Sequence, residues 1–127
     1  PIYTKNLFLK DKKGALFLVT VPEDAAIDLK QLHTALGAKG RLSFASGERL
    51  MEVLGVRPGS VTPLALLNDD EGRVTFVLHQ AFREAGLVNV HPLRNDATMT
   101  LTVADFFRFL RHLGREPDIR DLPETAS

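Results

Sequence analysis

Two apolar runs near the start of the chain flank a short charged segment. Residues 5–10 read KNLFLK, residues 15–21 read ALFLVTV, and DKKG lies between them. Two strand-like runs joined by a short polar turn that ends in glycine are typical of an antiparallel β-hairpin. Pro22 then ends the second strand, because proline has no N–H to donate to a ladder.

Three later segments repeat apolar residues at the spacing of an amphipathic helix. The first begins after Asp28 and stops at Gly37, and the second begins after Ser46 and stops at Gly55. Asp and Ser cap helix starts, and Gly ends helices. The third, 103–113, follows a capping box at Thr102–Asp105. The apolar positions are Leu29, Leu32 and Leu36; Leu50, Met51 and Leu54; and Phe106, Phe109, Leu110 and Leu113.

The middle of the chain repeats the hairpin pattern. Residues 63–67 (PLALL) and 73–78 (RVTFVL) flank NDDEG, which predicts a second hairpin. Residues 79–86 are predicted to form a short helix or turn. Further strands are predicted at 41–45, 87–91 and 98–102, with a loop at 92–98 and a polar tail from Arg115.

Strands and helices therefore interleave irregularly, and hairpins join several strands. This order indicates an α+β domain with a mixed, curved sheet instead of a doubly wound parallel sheet. A length of 127 residues suits one domain with a single core, so residues 1–127 are expected to form one domain.

Composition narrows the function classes. The chain has no cysteine, which excludes disulfides, thiolate nucleophiles and cysteine-ligated zinc. Sixteen basic residues balance sixteen acidic ones, so any contact with nucleic acid is expected to be small or local. No apolar run approaches the ~20 residues of a membrane helix. We expect a cytoplasmic protein without membrane contact.

Few side chains suggest chemistry on their own. No phosphate-binding glycine-lysine loop, dinucleotide fingerprint or HExxH motif is present. The four histidines (His33, His79, His91 and His112) are scattered, and only His91 lies at a strand end before a polar loop, where functional residues concentrate. Lys5 at the start of the first hairpin fits an edge-strand lysine that discourages aggregation better than it fits a chemical role.

The segment GVRPGSVTP at 55–63 has two prolines and two glycines in nine residues. It fits a turn selected for its geometry. It also fits a row of backbone N–H groups that hold an oxyanion or a phosphate. A serine-hydrolase role for Ser60 has little support, because no histidine and acid lie near it in sequence.

Three stretches together resemble a known family. They are residues 4–46, residues 52–69 (EVLGVRPGSVTPLALLND) and residues 89–110 (NVHPLRNDATMTLTVADFFRFL). In this order they resemble the YbaK-like superfamily, which includes the editing insertion domain of bacterial prolyl-tRNA synthetase. The chain is most similar to the freestanding ProXp-ala (PrdX) type. Members usually carry a helical portion before the lysine strand, so an N-terminal segment is expected to be missing.

The resemblance implies a barrel-like curved sheet and trans-editing, the hydrolysis of alanine wrongly esterified to proline tRNA. The family's lysine matches Lys5, and its Gly-x-x-x-Pro loop matches residues 59–63. The expected catalytic residues are Lys5, Gly59, Ser60, Val61 and Thr62. The expected substrate-binding residues are Ser43, Phe44, Ala45, Pro63, His91, Asn95 and Thr98. No metal or cofactor is expected. The expected partners are the 3′ acceptor end of aminoacyl-tRNA and, as a second candidate, prolyl-tRNA synthetase.

An aminoacyl ester is already activated, so a held ester, a water and oxyanion donors suffice for its hydrolysis. Three alternatives remain open: an editing deacylase with another specificity, a nucleic-acid-binding module without catalysis, and a domain that acts through a synthetase. Sequence alone leaves open the amino-acid and tRNA specificity, the oligomeric state and the source of tRNA selection.

Overall fold

The computed structural model describes residues 2–91 and 98–125. The strands are β1 (Ile2–Lys10), β2 (Leu16–Pro22), β3 (Ser43–Phe44), β4 (Val74–His79), β5 (Leu87–Val90), β6 (Met99–Thr102) and β7 (Ile119–Arg120). The α-helices are α1 (Leu29–Leu36), α2 (Gly47–Leu54) and α3 (Val103–His112). Short 3-10 helices cover Pro58–Ser60, Pro63–Asn68 and Gln80–Arg83.

The first hairpin and the three helices are confirmed. β1 and β2 pair antiparallel without interruption from Thr4 to Lys10. The side chains of Asp28, Ser46 and Thr102 each accept a hydrogen bond from an amide in the first turn of their helix. The glycines that follow α1 and α2 both adopt the left-handed conformation that ends a helix.

The strands form one mixed, curved sheet in the order β6-β5-β1-β2-β4-β7, with β3 added to β1. β1 is antiparallel to β2 and β3 and parallel to β5, whereas β2, β4 and β7 run parallel. Within the described residues no pairing joins β6 to β7, so the sheet is unclosed. The expected α+β class with a curved mixed sheet and surrounding helices is confirmed.

The predicted second hairpin is wrong. Residues 63–68 form a 3-10 helix, and β4 pairs with β2 in parallel. Pro63 stands at the first helical position, and the Thr62 hydroxyl accepts a hydrogen bond from the Leu64 amide at 3.3 Å. Both features start a helical turn. A five-residue apolar run does not by itself distinguish a strand from a buried helical turn.

Other elements differ from the expectation in their extent, and one strand was missed. The strand predicted at 41–45 contains only Ser43–Phe44, and the short helix predicted within 79–86 covers Gln80–Arg83. The tail predicted as polar contributes β7 (Ile119–Arg120), which extends the sheet beyond β4.

The two faces of the sheet bury separate apolar clusters. One cluster combines β1, β2, β4 and β5 with α2 and α3 and includes Phe8, Phe76 and Phe106. The other covers the opposite face with α1 and includes Leu9 and Leu32. Every helix in residues 2–91 and 98–125 is too short or too polar to cross a bilayer.

Candidate functional site

The loop between α2 and the second 3-10 helix is a stiff backbone segment. Pro58–Ser60 form a single 3-10 turn, in which the Ser60 amide donates to the Arg57 carbonyl at 2.9 Å. Val61 then returns to the extended conformation, and Pro63 begins the next 3-10 helix. Two short helical turns therefore hold the loop on either side.

Asn6 of β1 ties this loop to the sheet. Its Nδ2 donates to the Val61 carbonyl at 3.1 Å, and its Oδ1 accepts from the Thr20 hydroxyl at 2.5 Å. Thr20 is the register partner of Asn6 on β2 and is fully buried. Because Thr20 occupies the amide oxygen, the Asn6 nitrogen is directed toward the loop.

Thr62 ties the loop to the end of β5. Its hydroxyl donates to the His91 carbonyl, and the side chain is fully buried. The loop therefore has one hydrogen bond to β1 and another to the residue after β5. Two strands that lie side by side in the sheet fix its position.

The loop retains unused backbone donors. The Ser60 amide is occupied by its turn, whereas the amides of Gly59, Val61 and Thr62 have no acceptor among the described residues. A Cβ placed on Gly59 would meet nothing within 4 Å, and its φ is not positive. The space beside Gly59 is therefore open.

The loop lies beside a gap in the edge of the sheet. β1 pairs with β5 through Ile2 and Tyr3 and with β3 through Leu9 and Lys10. Between these pairings no strand covers Asn6 on this edge within the described chain. β3 and β5 thus form the two sides of the gap, and the loop contacts Asn6 within it.

Lys5 is placed differently from its neighbour. The β1–β2 register is continuous, so successive side chains point to opposite faces. Asn6 shares the face of Phe8 and the loop, whereas Lys5 shares the face of Leu7. The Lys5 side chain is half-buried and contacts the loop through no hydrogen bond within the described chain.

The residues expected to form the pocket wall differ in how much of their surface is accessible to solvent. Ser43 and Phe44 are exposed, with 58 % of Phe44 accessible. Ala45 is half-buried, donates its amide to the Phe8 carbonyl at 3.0 Å and packs against the same cluster as Val61. Ala45 and Val61 therefore meet one apolar surface, whereas Phe44 faces outward.

His91 and Thr98 line one cleft of about 180 Å³ beside β5, together with Thr4 and Asn89. Pro63 is buried at the far end of the loop. Asn95, also expected at the site, lies outside the described residues.

Three residues at the site were missed from the sequence. Asn6 and Thr20 form the contact that holds the loop. Asn89 is 5 % exposed and accepts from the Thr100 hydroxyl at 2.5 Å, while its carbonyl accepts from the Thr4 hydroxyl at 2.7 Å. The available signal was a polar residue within an apolar strand, because buried polar groups require partners.

The other histidines lie elsewhere. His33 and His112 are on helices, and buried His79 accepts the Ala81 amide at 3.0 Å through Nδ1. Within residues 2–91 and 98–125, no three His, Asp or Glu side chains are placed to hold a metal ion.

The domain is an open mixed sheet, and hydrogen bonds to Asn6 and to the His91 carbonyl hold the loop beside a gap in one edge of it. Backbone amides without acceptors in such a loop are suited to holding a small carbonyl or phosphate group. Residues 2–109 match the family model described as the aminoacyl-tRNA editing domain. The chain belongs to this family.

Curated relatives extend the match. The chain is 46 % identical over 120 residues to "Prolyl-tRNA synthetase associated domain-containing protein 1" of Danio rerio, covering 93 % of this chain and 65 % of the relative. It is 39 % identical over 111 residues to "Prolyl-tRNA editing protein ProX" of Acetoanaerobium sticklandii, covering 87 % of this chain and 67 % of that protein. The chain thus spans about two thirds of the length of these relatives.

Solved structures share the fold. One crystal structure, whose name proposes a trans-editing enzyme for prolyl tRNA synthetase, superposes with a TM-score of 0.69 and 21 % identity over 97 % of this chain and 71 % of that one. Another, of a hypothetical protein, has a TM-score of 0.73 and 18 % identity over 94 % of this chain and 73 % of that one. At these identities the likeness concerns the fold alone.

Proposed function

We propose that this chain hydrolyses the ester of misacylated tRNA, with alanine on proline tRNA as its substrate. Membership of the editing family and the names of the relatives support this reaction class. The observation that carries the proposal is the loop at 59–62, which has three unused amides and is pinned to two strands.

In the proposed reaction, water attacks the carbonyl carbon of the aminoacyl ester. Negative charge develops on the carbonyl oxygen, and the amides of Gly59, Val61 and Thr62 stabilise it. Donors fixed before the substrate arrives need no reorganisation during the reaction. The ribose 2′-hydroxyl assists the water, the C–O bond to the ribose 3′-oxygen breaks, and that oxygen takes the proton. The products are free alanine and tRNA.

Lys5 is proposed to supply positive charge to the terminal adenosine or its phosphate. Its Cβ lies on the face opposite the loop, so the side chain must pass the open edge of β1. A lysine has a flexible four-carbon stem, which suits such a reach. Lys5 would therefore bind the nucleotide, and the loop amides would act on the ester.

Selectivity is proposed to come from size. A single methylene contributes only about 1–3 kcal/mol of discrimination in an apolar pocket. Excluding the larger proline is therefore more effective than binding alanine more tightly. Ala45 and Val61, which pack against one apolar cluster, are the proposed wall, with Ser43, Phe44, Pro63, His91, Asn95 and Thr98 around the bound nucleotide and amino acid.

The main test compares two glycine variants on a panel of aminoacyl-tRNAs. Gly59→Leu fills the space beside the loop amides and should lower alanine release about 100-fold, as expected for disturbed oxyanion donors. Gly86→Leu is the matched control, because its Cβ also meets nothing within 4 Å and its φ is not positive. Equal rates for the two variants would remove the loop from the site.

The panel also separates the alternatives. Hydrolysis of a different ester would change the substrate and keep the reaction. If the protein hydrolyses none of the aminoacyl-tRNAs, the deacylase assignment is overturned and a binding module is favoured. Lys5→Ala should sharply reduce hydrolysis while the fold stays intact, and Ser60→Ala should retain much of the activity. Co-purification with prolyl-tRNA synthetase would test the partner suggested by the relatives' names.

A further inference from the structure

Cations in this protein divide into paired and unpaired groups. Seven arginines form ion pairs with acids: Arg49, Arg73, Arg83, Arg108, Arg111, Arg115 and Arg120. The other cations of the described chain have no acidic partner within 4.0 Å: Lys5, Lys10, Lys12, Lys13, Lys30, Lys39, Arg41 and Arg57. Charges without a partner remain available to an external ligand.

Five of these unpaired cations lie together at the end of the first hairpin. This basic corner consists of Lys10, Lys12, Lys13, Lys39 and Arg41, all of which are exposed. The Lys12 amide donates to the Lys39 carbonyl at 3.2 Å, and Lys10 pairs with the first residue of β3. The hairpin turn and the segment before β3 thus form one surface.

The lone acid in these two segments is turned inward. Asp11 is 5 % exposed, and its carboxylate accepts amides from Lys39, Ala15 and Lys13 at 2.9–3.0 Å. Backbone dipoles therefore balance its charge, with the Lys39 amide making the largest contribution to lowering the pKa of the carboxyl. The corner keeps its outward positive charge although the whole chain is neutral.

The corner is continuous with the loop site. Lys10 follows Asn6 by four residues on β1, about 13 Å at the rise of a strand. On the other side, Arg41 leads into β3 and to Ala45, which packs on the same cluster as Val61. Phe44 is exposed, but its pairing with Leu9 puts its ring on the face of the sheet opposite Asn6 and the loop. A row of cations along a surface is the usual means of holding a nucleic-acid backbone.

We propose that the basic corner binds backbone phosphates of the tRNA acceptor end, so that the terminal ester reaches the loop at 59–62. The proposal rests on the proposed function. A single basic face suits a ligand that approaches from one side, and it explains how a chain with zero net charge can hold a polyanion.

The test compares two variants that lose the same total charge. The corner variant carries Lys12→Gln, Lys39→Gln and Arg41→Gln. The control carries Lys30→Gln, Arg83→Gln and Arg108→Gln, which lie on α1, after β4 and on α3. Both should fold like the parent by circular dichroism and thermal melting. The affinity for proline tRNA is then measured from about 0.05 to 0.5 M salt, where phosphate contacts are most evident.

The corner variant should bind tRNA roughly 10- to 100-fold more weakly near 0.1 M salt, with a shallower dependence of log K on log salt by about 2 to 3. The control should stay within about threefold of the parent, since its charges lie outside the corner. Unchanged affinity and slope in the corner variant would overturn the proposal, and an acidic protein partner would then be the alternative.

A second substrate separates this proposal from the proposed function. Alanyl-adenosine ester carries the reacting bond without the acceptor-end phosphates. The corner variant should hydrolyse it at the parent rate while losing activity on alanyl-tRNA at limiting concentration. Equal loss on both substrates would overturn the role of the corner. If the parent hydrolyses neither, the deacylase assignment fails, and the tRNA affinities alone still decide whether the corner binds phosphate.

Discussion

Residues 11–15 and 69–73 fold into the same turn but carry opposite charges. In each turn the glycine amide donates to the aspartate carbonyl at 3.1 Å, and the next amide donates to aspartate Oδ1 at 2.9 Å. Both glycines have positive φ, 87° at Gly14 and 64° at Gly72. Between aspartate and glycine, one turn exposes two lysines and the other exposes an aspartate and a glutamate.

The difference begins at the second carboxylate oxygen. Asp11 Oδ2 accepts the Lys39 amide, whereas Asp69 Oδ2 accepts the Val74 amide and the Arg115 guanidinium at 2.7 Å. Each aspartate thus closes its turn and anchors a different distant segment. The side chains of the central positions take no part in these bonds. Their charge is therefore not set by the turn and is available for function.

Removing the aspartate of the acidic turn should have the largest effect on stability. The Asp69 side chain is 1 % exposed, and Asp69→Ala would remove the acceptor of Arg115 Nη2 and of two amides. Breaking a buried ion pair from one side costs about 3–5 kcal/mol. Urea denaturation measures this loss. Asp70→Ala, at the exposed neighbour, should stay within about 0.5 kcal/mol, and a similar loss there would contradict the assignment.

Asp11→Asn should be the next most destabilising change. The carboxylate of Asp11 accepts only amides, with no cation in place of Arg115. We therefore expect Asp69→Ala to lower the unfolding free energy more than Asp11→Asn does. Because the pKa of Asp11 is lowered in the folded protein, its contribution to stability is complete above the unfolded pKa of about 3.9. It is lost as the pH falls through the lower folded value.

The measurement for Asp11 is the difference in unfolding free energy between the parent and Asp11→Asn at several pH values. This difference should be constant near neutrality and shrink below about pH 4, where the parent carboxyl also becomes neutral. A difference that persists unchanged into strong acid would show that shape, and not the charge of the carboxylate, holds the turn.

The same pair of turns explains what sequence could and could not predict. Asp and Gly at this spacing predicted a turn in both places, and both turns form. The pairing of the flanking runs was right for β1 and β2 and wrong for 63–68. The difference came from Thr62 and Pro63, which begin a 3-10 helix. β7 was missed because two residues in a polar tail carry no periodicity.

The site shows a similar division. The segment at 55–63 stood out through its own prolines and glycines. Asn6 did not, because its role depends on the register that places it opposite Thr20 and beside Val61. The face on which Lys5 lies also follows from that register. Contacts between residues far apart in sequence required the folded sheet.

Replacing the glycine of either turn should have a smaller effect, equal in the two places. Gly14→Ala and Gly72→Ala each force a side chain into the left-handed region, at about 1 kcal/mol. A Cβ meets nothing within 4 Å at either position, so only backbone strain contributes. Thermal melting of the two variants should agree within about 0.5 kcal/mol. A larger difference would show that the turns are not equivalent.

Exchanging the central charges should change stability least. The exchange variant carries Lys12→Asp and Lys13→Glu together with Asp70→Lys and Glu71→Lys. All four positions are exposed and take no side-chain part in the turns. The unfolding free energy should therefore stay within about 1 kcal/mol of the parent.

The exchange preserves the net charge of zero and the counts of acidic and basic residues. If overall charge determined tRNA binding, the affinity would be unchanged. If the basic corner binds the acceptor end, the affinity should fall at least tenfold near 0.1 M salt, because the first hairpin would then repel phosphate. The matched control moves lysines onto the acidic turn alone, with Asp70→Lys and Glu71→Lys. Loss of affinity in the exchange variant and not in this control would locate tRNA binding at the first turn, whereas equal affinities would mean that the two turns differ in charge without differing in function.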